Sequence, residues 1–218
     1  MRIHLRIQTT NKTIPFDHQP LLTGTIHKWL GWNDEHGEIS LYSFSQLEGG
    51  KATSEGLLFW KDTILFFSSY DPALIKRMIT GIQSDPSMFY GLKVSEIIIQ
   101  EDPDLSERNL FHVASPIFLK RRVGEKVDHI LYNDPRASDC LKETLLTKMT
   151  KAGLADESFD IRFDTTYTKA GTKKITYNKV QNRANWCPVI IEGKLETKQF
   201  AWNVGLGNST GIGFGAIK

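Results

Sequence analysis

Cysteine is nearly absent from this chain. Only Cys140 and Cys187 occur in 218 residues, too few and too far apart for a disulfide framework or a zinc cluster. Both are expected to be buried free thiols in a cytoplasmic protein. Long apolar runs are missing too: none approaches the roughly 18 residues needed to span a bilayer, so no membrane partner is expected. The opening Met1-Arg-Ile-His-Leu-Arg-Ile7 alternates polar and apolar as a strand does. It lacks the apolar stretch and cleavage site of a signal peptide. Two nucleotide motifs are absent as well. Gly207-Asn-Ser-Thr-Gly211 has the wrong spacing for the dinucleotide fingerprint, and no glycine is followed by the Lys-Ser or Lys-Thr of a P-loop.

What the chain does have is an uneven charge distribution. Its net charge of +2 excludes nothing, but residues 1–118 hold 10 Lys/Arg against 14 Asp/Glu and residues 119–218 hold 17 against 11. A basic half beside an acidic one fits a face for a polyanion, and equally a lysine-rich solvated surface. Lys120, Arg121, Arg122, Lys169, Lys173, Lys174, Lys179 and Arg183 carry most of the basic character around expected strands and loops.

The length admits one large domain or two of about 100 residues each. Periodicity predicts a strand over residues 2–9, a turn from Pro15 to Pro20 and a helix over Leu21–Leu30. A strand follows over Ile39–Leu47, and then Leu57–Trp60 and Thr63–Ser69 as two strands turning at Lys61-Asp62. Asp71-Pro72 starts a second helix with Leu74, Ile75, Met78, Ile79 and Ile82 on its apolar face, followed by a strand over Val94–Gln100. The later part repeats this order. Strands are expected at Phe111–Leu119 and Lys126–Tyr132, then a helix after Asp134-Pro135 with Leu141, Leu145, Leu146 and Met149. Strands at Phe159–Phe163, Lys174–Tyr177 and Cys187–Ile191 and a short helix over Thr197–Val204 follow. The expected fold is α+β: tandem ferredoxin-like (RRM-like) β-α-β-β-α-β domains, residues 1–114 and 115–218.

The last fourteen residues are the most distinctive. Gly205, Gly207, Gly211, Gly213 and Gly215 fall within eleven residues that carry no charge. Such a stretch exposes backbone N–H groups and lets an anion approach closely. A glycine-rich hairpin closing a sheet is the competing reading. Ile212, Phe214 and Ile217 require burial, so the stretch is read as a loop entering a final strand.

Gly205-Leu-Gly207 and Gly211-Ile-Gly-Phe-Gly215, placed before the last strand of a tandem ferredoxin-like chain, resemble the glycine-rich signature of the RAMP superfamily of CRISPR systems. The likeness is closest to the sixth family of CRISPR-associated proteins. The helix after a Pro-containing turn (Pro20–Leu30) and the strand Leu41-Tyr-Ser-Phe-Ser45 are also similar to that family. The resemblance implies an endoribonuclease that cuts precursor CRISPR RNA inside each repeat, with no metal or cofactor, leaving a 2′,3′-cyclic phosphate and a 5′-hydroxyl. It implies repeat RNA as partner, its backbone held by the five glycines, and admits other CRISPR effector subunits or a second copy of the chain.

Cleavage of RNA by its own 2′-hydroxyl requires a base, an acid and groups that meet the charge on phosphorus. Histidine suits both proton roles. Among the six, His4, His112 and His129 lie in expected strands and His18 in a turn. His27, on the first helix, and His36, in the turn Asn33-Asp-Glu-His-Gly37, are close enough in sequence to converge on one phosphate. The resemblance implies a catalytic role for His36, which matches a family histidine; His27 stands where a tyrosine is common, a departure from the pattern that allows a catalytic His36–His27 acid/base pair. The family's lysine before the strand has no match, since positions 38 and 40 are Glu and Ser; Lys28 or Lys51 would have to substitute. RNA binding is assigned to the glycines and to Lys120, Arg121, Arg122, Lys173, Lys174, Lys179 and Arg183. Tyr177, Trp186 and Trp202 offer flat faces to unpaired bases. A RAMP subunit that binds guide RNA without cutting it, and an enzyme binding a phosphorylated metabolite, are the rival readings.

If the basic residues contact phosphates, RNA affinity falls steeply and log-linearly with salt, because each neutralised phosphate releases counterions. Binding isotherms at several salt concentrations check this, and a flat dependence removes the patch from the interface.

Overall fold

The computed structural model describes residues 1–31 and 39–218. Its first part contains β1 (Arg2–Gln8), α1 (Gln19–Leu30), β2 (Tyr42–Phe44), β3 (Glu48–Ala52), β4 (Leu57–Ser69), α2 (Pro72–Ser84) and β5 (Lys93–Gln100). The Asp71 carboxylate accepts the Ala73 N–H at 2.8 Å and Pro72 supplies a preset φ, so α2 begins where its capping residues dictate. The strands run β2-β4-β1-β5, every neighbour antiparallel. This is the ferredoxin-like order. Alternate residues Ile3, Leu5 and Ile7 of β1 are buried with Leu22 and Ile26 of α1 and Ile75 and Met78 of α2.

The second part contains β6 (Leu110–Phe111), β7 (Lys120–Val123), β8 (Lys126–His129), α3 (Ala137–Lys151), β9 (Asp160–Phe163), β10 (Gly171–Tyr177), β11 (Val180–Trp186), β12 (Val189–Glu192) and α4 (Leu195–Val204). Its sheet runs β9-β12-β6. The C-terminal residues lie beside β6 through reciprocal hydrogen bonds between His112 and Lys218 and one from Ala114 N–H to the Ala216 carbonyl. With that closing segment the ferredoxin-like order repeats. Leu141, Leu145 and Met149 of α3 and Phe200 and Val204 of α4 are buried with Phe111, Ile161 and Val189 of the sheet. Leu105 and β6, which precede residue 115, belong to this second core. The hairpins β7–β8 and β10–β11 form separate two-stranded ribbons.

Two local expectations change, and one hairpin is added. The turn expected at Lys61-Asp62 is instead the middle of β4, a single strand. A two-residue hairpin turn favours Gly or Asn with positive φ, and this pair has neither. The strand expected over Phe111–Leu119 pairs as a ladder only at Leu110–Phe111, then continues through single bridges at Val113, Ile117 and Phe118, because Pro116 has no N–H for a ladder. The β10–β11 hairpin turns at Asn178 (φ 48) and Lys179 (φ 66), a primed turn in which Asn tolerates positive φ.

The two halves meet at the C-terminal end of α4, where the last turn of a helix leaves carbonyls without intrahelical donors. Here donors come from elsewhere. The Arg2 guanidinium donates to the carbonyls of Trp202 (2.9 Å) and Ile217 (2.8 Å) and lies between the rings of Trp202 and Phe66. The Ser43 hydroxyl reaches the Asn203 carbonyl at 3.3 Å. The Lys148 ammonium donates to Gly205 O (2.9 Å) and Val204 O (3.4 Å). The glycine-rich segment then leaves this end and is clamped on all sides: a Cβ at Gly215 (φ +73) would lie 1.9 Å from the Leu206 carbonyl oxygen, and one at Gly213 (φ +90) 1.8 Å from Gln19 Nε2.

Gly215→Ala is therefore expected to lower stability by about 3 kcal/mol or more, positive φ and backbone overlap acting together. Gly124→Ala in the β7–β8 turn shares the positive φ (+62) but meets no atom within 4 Å, so it is expected to cost only about 1 kcal/mol. Urea unfolding midpoints of the two variants test the difference.

Candidate functional site

A cleft of about 630 Å³ opens between α1, α3, the β10–β11 ribbon and the segment Gly207–Ile212. One wall comes from α1. Gln19, Thr23 and His27 are four residues apart and share one face of the helix, and each meets the glycine-rich segment. Gln19 Nε2 and Thr23 Oγ1 donate to the Ile212 carbonyl at 2.9 and 3.2 Å. His27 Nε2 lies 3.1 Å from the Gly211 carbonyl, and the Tyr42 hydroxyl of β2 donates to the same oxygen at 3.3 Å.

A carbonyl only accepts, so His27 Nε2 carries the proton in that contact. In the neutral ring the basic nitrogen is then Nδ1. Gly211 O thus favours the Nε2–H form of the ring, and the Tyr42 hydroxyl lies 3.4 Å from Nε2. The opposite wall is α3, with Thr144, Thr147 and Lys148, and the rim carries Lys120 and Tyr177. The Lys120 backbone is held by Asn208 Oδ1 at 2.9 Å. Burial raises the Tyr177 hydroxyl above its usual range.

Lys148 is 4% exposed. Its ammonium reaches Gly205 O, Val204 O and, at 3.4 Å, Thr210 Oγ1, with no carboxylate among these partners. Desolvation brings its pKa down to about 7.

Of the residues assigned from sequence, His27, Lys120, Gly207 and Gly211 line the cleft. His36 lies outside the described residues; Ile39 and Ser40, the first described residues after it, line the cleft. Gly205, Gly207, Gly211, Gly213 and Gly215 are all buried, their missing side chains filled by neighbouring chain rather than open to approach. Asn208, Ser209 and Ile212, all half-buried, are the open part of the segment.

The basic residues split by strand alternation. Arg121 pairs with Glu143 of α3, whereas Lys120 lines the cleft and Arg122 is exposed. Lys174 and Arg183 are cross-strand partners. Lys173 lies instead over the Trp186 ring at 3.7 Å, where burial lowers its pKa. Lys179 is exposed at the β10–β11 turn. Trp202, offered by sequence as a face for a base, is buried beneath Arg2 and unavailable. Lys28 is held by Asp85 and Ser87, and Lys51 is exposed on β3; neither lines the cleft.

Sequence reasoning missed Tyr42, Lys148, Gln19 and Thr23. The four-residue spacing on α1 was a readable signal, as was a lysine beside Leu141, Leu145 and Met149 on an otherwise apolar helix face. Among the described residues, no three His, Cys, Asp or Glu side chains gather as a metal site, and no helix is long and apolar enough to cross a membrane.

Residues 100–218, more than half of the chain, match the family described as CRISPR associated protein Cas6, C-terminal. A CRISPR-associated endoribonuclease-like protein Cas6 of Pyrococcus furiosus is 24% identical over 165 residues, spanning 72% of this chain and 68% of that protein. A solved structure described as CRISPR associated protein Cas6 superposes with a TM-score of 0.85 at 22% identity, covering 100% of this chain and 98% of the other. Another, described as an RAMP protein binding different RNA substrates, gives 0.86 at 21% identity over 100% and 98%. The two structural matches share the fold.

Burial of Lys148 makes stability depend on pH in a defined direction. Its amine binds a proton more weakly folded, near pH 7, than unfolded, near 10.4. Between those values the unfolded state carries more protons, so stability rises with pH across the window. Below about pH 7 both states are protonated and the cost of the buried charge is constant. Relative to Lys148→Met, the wild-type protein is expected to gain stability from pH 7 to pH 10 in urea titrations.

Proposed function

Because the chain belongs to the Cas6 family of CRISPR-associated proteins, we propose that it is an endoribonuclease that cuts precursor CRISPR RNA within its repeats, without a metal ion or cofactor. The observation that carries this reading is the His27–Gly211 contact. It holds an imidazole in one tautomer at the wall of a cleft lined by Lys120, Tyr42 and the Asn208–Gly211 segment.

In the proposed reaction a base removes the proton of a 2′-hydroxyl. O2′ then bonds to the adjacent phosphorus, the P–O5′ bond breaks and an acid protonates the departing O5′. The products are a 2′,3′-cyclic phosphate and a 5′-hydroxyl, with no water or metal consumed. His27 is assigned the base, its Nε2–H held by the Gly211 carbonyl at the cleft wall. His36 is assigned the acid; it precedes Ile39, a cleft residue, by three positions. The Tyr42 hydroxyl and Lys120 are donors for the charge on the phosphorane oxygens. The strand enters along Lys174, Lys179 and Arg183, its backbone passes the Asn208–Thr210 edge of the glycine-rich segment, and Tyr177 stacks on a base beside the scissile phosphate.

His27→Ala and His36→Ala are each expected to slow single-turnover cleavage of a repeat RNA in EDTA by about 100-fold or more, with RNA affinity nearly unchanged. Product ends should be cyclic phosphate and 5′-hydroxyl. Wild-type rates in both variants remove the assignment. A wild-type protein that binds repeat RNA and leaves it whole is instead a guide-binding RAMP subunit.

A further inference from the structure

The chemistry above leaves Lys148 without a part, although its surroundings are unusual. An ammonium buried away from water is costly unless its donors are met. Here they are met by the carbonyls of Val204 and Gly205, at the negative end of the α4 dipole, and by the Thr210 hydroxyl. Those partners lie at either end of the glycine-rich turn. Gly205 begins the segment and Thr210 closes it, one residue before the carbonyl that orients His27. Between them Ser209 adopts φ 63, a left-handed conformation unfavourable to a residue with a side chain. The turn is therefore held in shape by what it contacts.

We propose that Lys148 is a positioning residue for His27. By holding Gly205 and Thr210 together it fixes the path of the turn, and with it the Gly211 carbonyl that favours the Nε2–H form of the imidazole. A methionine would fill the same volume but leave the carbonyls unmet and the Thr210 hydroxyl held only by the Ser40 carbonyl, at 3.5 Å. The Gly211 carbonyl then shifts relative to α1, and the Nε2–H tautomer loses its advantage. The proposal rests on the reading of His27 as a proton-transfer group; the link from Lys148 to the ring is a property of the protein alone.

The test reads the ring directly. Protein labelled with nitrogen-15 in its histidine rings is compared as wild type, Lys148→Met and Thr210→Val, with His27→Ala assigning the signals. Wild type is expected to show the Nε2–H form of His27. Lys148→Met should move the signals toward a mixture of tautomers, and Thr210→Val should move them less in the same direction. Single-turnover cleavage by Lys148→Met should fall about tenfold or more, since small misplacements of a reacting group are costly, with RNA affinity within about threefold of wild type. Unchanged ring signals in folded Lys148→Met overturn the proposal; if that variant does not fold, unchanged signals in Thr210→Val do so. A tautomer shift accompanied by unimpaired cleavage in His27→Ala keeps the Lys148–His27 link and overturns the catalytic reading instead.

Discussion

The carbonyl end of α4 is the constraint on which the rest of this molecule depends. A helix buried at its C-terminus must find donors for its last carbonyls or lose their hydration uncompensated. Arg2 comes from β1, Ser43 from β2 and Lys148 from α3. The first two belong to the N-terminal half and the third to the C-terminal half, so one helix end fastens the two ferredoxin-like units together. Both cations bind carbonyl oxygens rather than carboxylates, the arrangement that the negative end of a helix dipole favours. Desolvation lowers the pKa of each. This seam is electrostatic as well as apolar.

From that end the chain must turn sharply and pass back between α1 and β2. Its glycines follow from the lack of room: side chains at 205, 211, 213 and 215 would overlap Ser43, Ser40, Gln19 and the Leu206 carbonyl. With the backbone so close to α1, the Gly211 and Ile212 carbonyls are met by side chains of that helix, Gln19, Thr23 and His27, together with the Tyr42 hydroxyl of β2. The orientation of His27 is thus a by-product of solving a packing problem. A helix from one half and a tail from the other meet at the imidazole.

Much of this fold was legible in the sequence because local chemistry and tertiary structure agree. Asp71-Pro72 starts α2 by capping, and the alternation of Ile3, Leu5 and Ile7 identifies the buried face of β1. Where the reading failed, partners distant in sequence decide. Lys61-Asp62 looks polar enough for a turn, yet β4 continues there because β1 and β2 extend beside its later residues while β3 pairs with its start. The strand Val180–Trp186 is too polar to be noticed by hydrophobic pattern, and only Asn178 marked its turn. Lys148 interrupts an apolar stripe, a visible anomaly whose meaning depended on carbonyls 56 residues away.

The glycines illustrate the same limit from the other side. Read alone they suggest a cradle open to an anion, since glycine admits close approach by anything. In the folded chain the approach is by the protein's own backbone and side chains, and the open edge of the segment is formed by Asn208 and Ser209, whose neighbours the glycines position. A ligand phosphate in the cleft would meet that edge and Lys120, and would find His27 already turned by the oxygen two residues beyond Ser209. Tight packing and reactivity are then not competing explanations of the glycine-rich tail: the glycines let the turn fit so closely against α1 that its backbone can act as the jig for a side chain on another domain.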